Sequence, residues 1–133
     1  MEVVVAVGAM SVLLIALLAL VSLSLRNSRL GKDRARAVAL SQEGIELMRA
    51  YRDYNWQELL GSSGNWNLPD NWVVENGLDQ GCNPVLRIDD FFWRCVELSD
   101  ASGGMEIKVS VSWLEGAQTF TTNQVTQMSL WER

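Results

Sequence analysis

Three hydropathy regimes follow one another along the chain. Residues 3–25 are apolar on every face and carry no charge. As a helix they span about 34 Å at 1.5 Å per residue, against a hydrocarbon core of about 30 Å. Residues 1–25 therefore predict a hydrophobic transmembrane helix. A cleaved signal peptide fits less well, because the apolar run is long and no small-x-small cleavage site precedes a polar start. From 26 to 59 the pattern becomes periodic. Ala37, Leu40, Gly44, Leu47, Tyr51 and Tyr54 recur at spacings of three and four, which places them on one helical stripe, widened by Ile45 and Met48. Charged residues hold the other faces, with Glu46–Arg49 and Arg49–Asp53 spaced to pair. Gly44 inside the stripe costs about 1 kcal/mol of helix propensity, so it predicts close approach of another backbone. Residues 26–59 thus read as an amphipathic continuation of the first helix. One helix over 3–59 would be about 85 Å long, the dimension of an anchored stalk.

The third regime is a globular antiparallel β head over 60–133. Gly61-Ser62-Ser63-Gly64 ends the helix in a loop; it lacks the spacing and lysine of a phosphate cradle. Asn76-Gly77 is a turn signal. Two apolar-rich runs, 84–88 and 91–98, flank Asp89-Asp90. In 105–113 the alternation is regular: Met105, Ile107, Val109, Val111 and Trp113 against Glu106, Lys108, Ser110 and Ser112. That is a half-buried strand. Ser102-Gly103-Gly104 and Glu115-Gly116 bound it as turns, and 117–122 and 125–131 read as the last strands. The predicted fold class is α+β: a long N-terminal α-helix packed on an antiparallel sheet of about four strands. Ala37, Leu40, Gly44, Leu47 and Tyr51 are the expected helix–sheet contacts.

Charge adds an asymmetry. The net charge is −5. Residues 26–60 hold seven Lys/Arg against five Asp/Glu, whereas 61–133 hold four against ten. An acidic head argues against general nucleic-acid binding, which rests on clustered cations. Arg26, Arg29, Lys32, Arg34 and Arg36 all follow the apolar segment, and the positive-inside rule alone would place the head in the cytoplasm. Cys82 and Cys95 argue for the other side, since beyond a membrane two such cysteines read as one disulfide. A basic leader upstream of Met1 would resolve the conflict. A disulfide closing so short a loop is worth about 3 kcal/mol.

Candidate chemistry is sparse. The chain has no histidine, which removes the usual general base and metal ligand, and no hydrolase or metalloprotease motif. No catalytic residue, metal or cofactor is expected. Asp70, Asp79, Asp89 and Asp90 carry oxygen donors suited to calcium, but without an EF-hand pattern they read as solvated loop acids. Of six tryptophans, Trp93 and Trp113 fall in strand patterns and are expected in the core. Trp56, Trp66 and Trp72 flank a Gly/Asn-rich loop, which they would anchor by burial; stacking on a ligand is the alternative.

Glu2 stands apart. An acid at the edge of a membrane segment is costly unless it is paired or sits among the headgroups. The run Glu2-Val3-Val4-Val5-Ala6-Val7 resembles the N-terminus of type IV pilins and the pseudopilins of type II secretion. So do Gln42-Glu43-Gly44-Ile45-Glu46-Leu47, Arg49-Ala50-Tyr51-Arg52-Asp53, the late Val109-Ser110-Val111-Ser112-Trp113 and the closing Trp131. The resemblance implies a subunit held in the bacterial inner membrane, matured by a prepilin peptidase and drawn by pilus assembly machinery into an extracellular homo-oligomeric filament. It implies that Glu2 pairs with the N-terminal amine of a neighbouring subunit, because two charges in a dry core are tolerable as a pair. Many members have a proline within the apolar segment. This chain has none between 1 and 59, so either a continuous helix or a break near Gly8, Ser11, Ser22 or Ser24 is expected. From another class, a single-pass protein with a ligand-binding head shares most of these features.

Overall fold

The structure is a computed structural model that describes residues 2–70, 72–84 and 87–129. Helix α1 runs without interruption over Glu2–Tyr54, so the continuous form is the one adopted, with no break near Gly8, Ser11, Ser22 or Ser24. The chain divides into two compact units, one ending at Ala35 and the other beginning at Arg36.

The helix ends at Tyr54 rather than near 59. Asn55 leaves helical geometry, and its side chain accepts from the Glu58 backbone N–H at 3.2 Å. That caps a second short helix, α2, over Trp56–Leu60. The anticipated Arg49–Asp53 pair is also replaced: Asp53 is held by its neighbour Arg52 at 2.8 Å, while Arg49 takes Glu46.

The second unit contains five strands, one more than expected: β1 (Gly64–Asn67), β2 (Asp79–Gln80), β3 (Phe92–Ala101), β4 (Gly104–Glu115) and β5 (Gln118–Met128). They form one antiparallel sheet in the order β2-β1-β3-β4-β5. β1 arises from Gly-Asn-Trp-Asn, at the end of the expected loop Gly61–Gly64 and not itself expected as a strand. It pairs Asn65 with Glu97 and Trp66 with Val96, so the neighbouring strand organises it, not its own β propensity. Residues 117–122 and 125–131 were expected as separate strands, but β5 is a single strand. Its whole length lies against the regular ladder of β4, from Glu115↔Gln118 to Met105↔Met128. Ile88 forms only an isolated bridge with Phe92; the rest of the 84–88 run and Trp131 fall partly or wholly outside the described residues.

The core lies between the inward sheet face and residues 37–51 of α1. One cluster joins Ile45, Met48 and Tyr51 to Leu59, Leu68, Trp72, Val96, Leu98, Met105, Ile107, Val109 and Met128. The other joins Ala37 and Leu40 to Ile88, Phe92, Val111 and Trp113. The buried helical stripe is Ala37, Leu40, Ser41, Gly44, Ile45, Met48 and Tyr51. Leu47 is only half-buried and Tyr54 is 62% exposed. The reason is periodicity. A 3-4-3-4 repeat averages 3.5 residues, and on a 3.6-residue helix it drifts by about 20° per heptad. Leu47 and Tyr54 rotate off the sheet while Ser41, Ile45 and Met48 rotate onto it.

Candidate functional site

The first unit presents an unusual surface. Its fifteen large apolar side chains from Val3 to Leu25 are each between 55% and 75% exposed. Removing one such side chain from water is worth about 1.5–3 kcal/mol. Fifteen amount to tens of kcal/mol, more than the roughly 5–15 kcal/mol net stability of a whole domain. A monomer in water does not sustain such a surface. The helix is long and apolar enough to cross a membrane, and its polar groups are already managed internally. Ser11 Oγ donates to the Val7 carbonyl at 2.8 Å, and Ser22 Oγ to the Ala19 carbonyl at 3.0 Å. Each hydroxyl is thereby satisfied without water, as an apolar medium requires.

Glu2 opens α1 and is exposed. An acid in the first helical turn faces the positive end of the backbone dipole. It is the one ionisable side chain between residues 1 and 25.

The second unit holds the other residues singled out by sequence. Cys82 and Cys95 form a disulfide, with Cα atoms 5.4 Å apart. It ties the loop after β2 to the middle of the sheet, where Cys95 pairs with Asn67 and Ser110. Asn67 Oδ1 reinforces the tie by accepting the Asn83 backbone N–H at 2.8 Å. The expected helix–sheet residues Ala37, Leu40, Gly44 and Tyr51 are all buried, and Leu47 packs at the edge of the core. Gly44 makes its close approach to side chains, not to another backbone as anticipated. A Cβ there would lie 2.8 Å from Val109 Cγ1 and 2.9 Å from Arg94 Cδ.

Arg94 is a buried junction that no pattern in the sequence marks. Its side chain is fully buried. Nε donates to the Leu68 carbonyl at 3.1 Å and Nη1 to the Leu40 carbonyl at 3.0 Å, with the Glu43 carboxylate 3.6 Å away. One guanidinium thus joins α1, β3 and the loop after β1. Burial lowers its pKa, and the Glu43 carboxylate opposes that shift. Tyr51 is its apolar counterpart. Burial, reinforced by the nearby Glu58 carboxylate, pushes the Tyr51 hydroxyl up to about 12.

The remaining candidates carry less. Trp113 is buried as expected, but Trp93 is half-buried on the opposite face. Trp66 Nε1 donates to the Ser62 carbonyl and Trp72 Nε1 to the Gly77 carbonyl, each at 2.7 Å, which makes both loop anchors. Asp89 is taken by Arg36 at 2.9 Å. No group of three or more metal-ligating side chains occurs among the described residues. An open groove of about 420 Å³ lies between α1 and β5, lined by Gln42, Glu43, Ile45, Glu46, Arg49 and Gln124. Its charges are already engaged, Glu46 with Arg49 and Glu43 with Arg94.

The site with the largest unmet physical demand is therefore the apolar helix headed by Glu2. No family model, curated protein or solved structure matches the chain.

Proposed function

We propose that this protein is a structural subunit of a type IV pilus or pilus-like filament. The observation that carries the reading is the exposed apolar length of α1, Val3–Leu25, continuous with a segment packed on a disulfide-bonded antiparallel sheet. Such a helix has two ways to leave water, lipid and copies of itself, and a filament subunit uses them in turn. In the bacterial inner membrane the helix is an anchor. After processing by a prepilin peptidase, the assembly machinery draws it into a core of apolar helices. The heads then coat an extracellular filament, where a disulfide persists. Glu2 pairs with the N-terminal amine of a neighbouring subunit, because a lone carboxylate in that dry core would be prohibitive.

Glu2→Ala and Glu2→Gln test this reading in cells, by membrane fractionation and by recovery of sheared filaments. Both variants should still partition into the membrane, and neither should yield filaments. Filaments at the wild-type level would overturn the assembly role. A wild-type chain that stays in the membrane and yields no filaments would instead favour the single-pass protein with a ligand-binding head, for which Glu2 is dispensable.

A further inference from the structure

We infer that the basic belt after the apolar segment, Arg29, Lys32 and Arg34 in particular, is a binding site for anionic phospholipid headgroups. The inference rests on anchoring by Val3–Leu25 and is independent of filament assembly. Residues 26–36 hold five Lys/Arg and a single acid, Asp33. They sit on the same uninterrupted helix as the apolar segment, so insertion of that segment fixes their depth. At 1.5 Å per residue, Arg29 lies about 6 Å and Arg34 about 14 Å beyond Leu25 along the axis. The headgroup layer is about 5–8 Å thick on each side of the hydrocarbon. Lys and Arg side chains reach back towards it, and the surface potential extends a further 8–10 Å or so. The belt thus coincides with the zone in which lipid phosphates are met.

Its arrangement around the helix separates lipid from a protein partner. At about 100° per residue, Arg29 and Lys32 fall on one side of the helix and Arg34 on the other, about 140–160° away. All three are exposed. A single docked neighbour would engage one side, whereas headgroups surround the helix. The run also ends where the head begins to claim its cations. Arg36, the last of the five, is bound to Asp89 at 2.9 Å. Arg29, Lys32 and Arg34 belong to the unit that ends at Ala35. Phosphate oxygens are strong acceptors for guanidinium and ammonium donors, and juxtamembrane cations of this kind draw anionic lipid to themselves.

The test uses the full chain reconstituted in phosphatidylcholine vesicles containing trace spin-labelled lipid. The relative association of labelled phosphatidylglycerol over labelled phosphatidylcholine is read by electron spin resonance. The wild type should favour phosphatidylglycerol about threefold or more, and the preference should shrink towards one at about 0.5 M salt. R29Q/K32Q/R34Q should bring it close to one at low salt, while R29K/R34K should retain it. A wild-type ratio of one in a chain that co-floats with neutral vesicles would overturn this inference alone. Failure to co-float would overturn the anchoring reading and the inference with it. A ratio that the triple glutamine variant leaves unchanged would overturn the assignment to these residues. So would a triple variant whose main defect is loss of chain–chain association in neutral vesicles, which would mark the belt as a protein contact.

Discussion

Residues 3–25 and residues 37–51 belong to the same helix, yet they solve opposite problems. In the second stretch one face is buried against the sheet and the others carry Glu43, Glu46 and Arg49. In the first, every face is apolar and every large side chain is more than half exposed. Backbone hydrogen bonding is the same in both, so helix formation does not separate them. The solvent each surface is suited to does. The amphipathic stretch is complete within its own chain. The apolar stretch leaves its side chains exposed, a surface poorly suited to water.

The comparison can be broken most forcefully by truncating one large side chain in each stretch's environment. Trp113, 1% exposed and stacked on Phe120, should cost the head about 3–5 kcal/mol as Trp113→Ala. Leu14, 61% exposed, should change head stability by less than about 0.5 kcal/mol as Leu14→Ala. Chemical denaturation in detergent, followed by tryptophan fluorescence, reads both. Equal losses would mean that the first stretch packs on the head after all.

Glycines give a smaller and sharper contrast. Gly44→Ala drives a methyl group into Val109 and Arg94, whereas a Cβ at Gly8 meets nothing within 4 Å. Overpacking of this kind costs about 1–3 kcal/mol, against which alanine regains about 1 kcal/mol of helix propensity. Gly44→Ala should therefore lower head stability by up to about 2 kcal/mol, while Gly8→Ala should leave it unchanged, in the same denaturation assay. A neutral Gly44→Ala would show that the sheet yields to the helix without strain.

A further effect is confined to alkaline solution. Tyr51 is pushed up to about 12 from an ordinary value of 10. A raised folded-state pKa means that the neutral phenol is favoured by folding. Its contribution is fully present below pH 10 and is lost as pH rises from 10 to 12. Thermal midpoints should fall across that window, and Tyr51→Phe should flatten the fall. An unchanged slope in the variant would assign the alkaline loss to other groups.

Legibility of the fold tracked how far each element is determined by its own residues. The uncharged apolar run and the alternation of β4 are local patterns, and both stand where sequence placed them. The helical stripe was legible in kind but rotated, because a 3.5-residue reading slips on a 3.6-residue helix. β1 was illegible because Gly64-Asn65-Trp66-Asn67 is a strand only through its pairing with β3. The sequence pattern divides β5 in two because Asn123 and Gln124 lack β propensity, while the β4 ladder carries them regardless. Arg94 was hidden for a related reason. It occupies an inward position between Phe92 and Val96, where a charge breaks the alternation that marks a core strand. Its partners, the Leu40 and Leu68 carbonyls, are backbone groups that leave no trace in sequence. Glu2 was the one candidate functional residue that sequence isolated unaided, since a solitary acid ahead of 23 uncharged positions stands out without any tertiary context.

The independence of the two stretches is tested most directly by removing residues 2–25 and following what remains. The chain from Arg26 onward, kept oxidised at Cys82 and Cys95, should be monomeric in sedimentation without detergent. Its thermal midpoint should match that of the full chain in detergent within a few degrees. Aggregation or loss of cooperative unfolding in the shortened chain would contradict the account, because it would mean that Val3–Leu25 supports the head instead of serving only the surroundings.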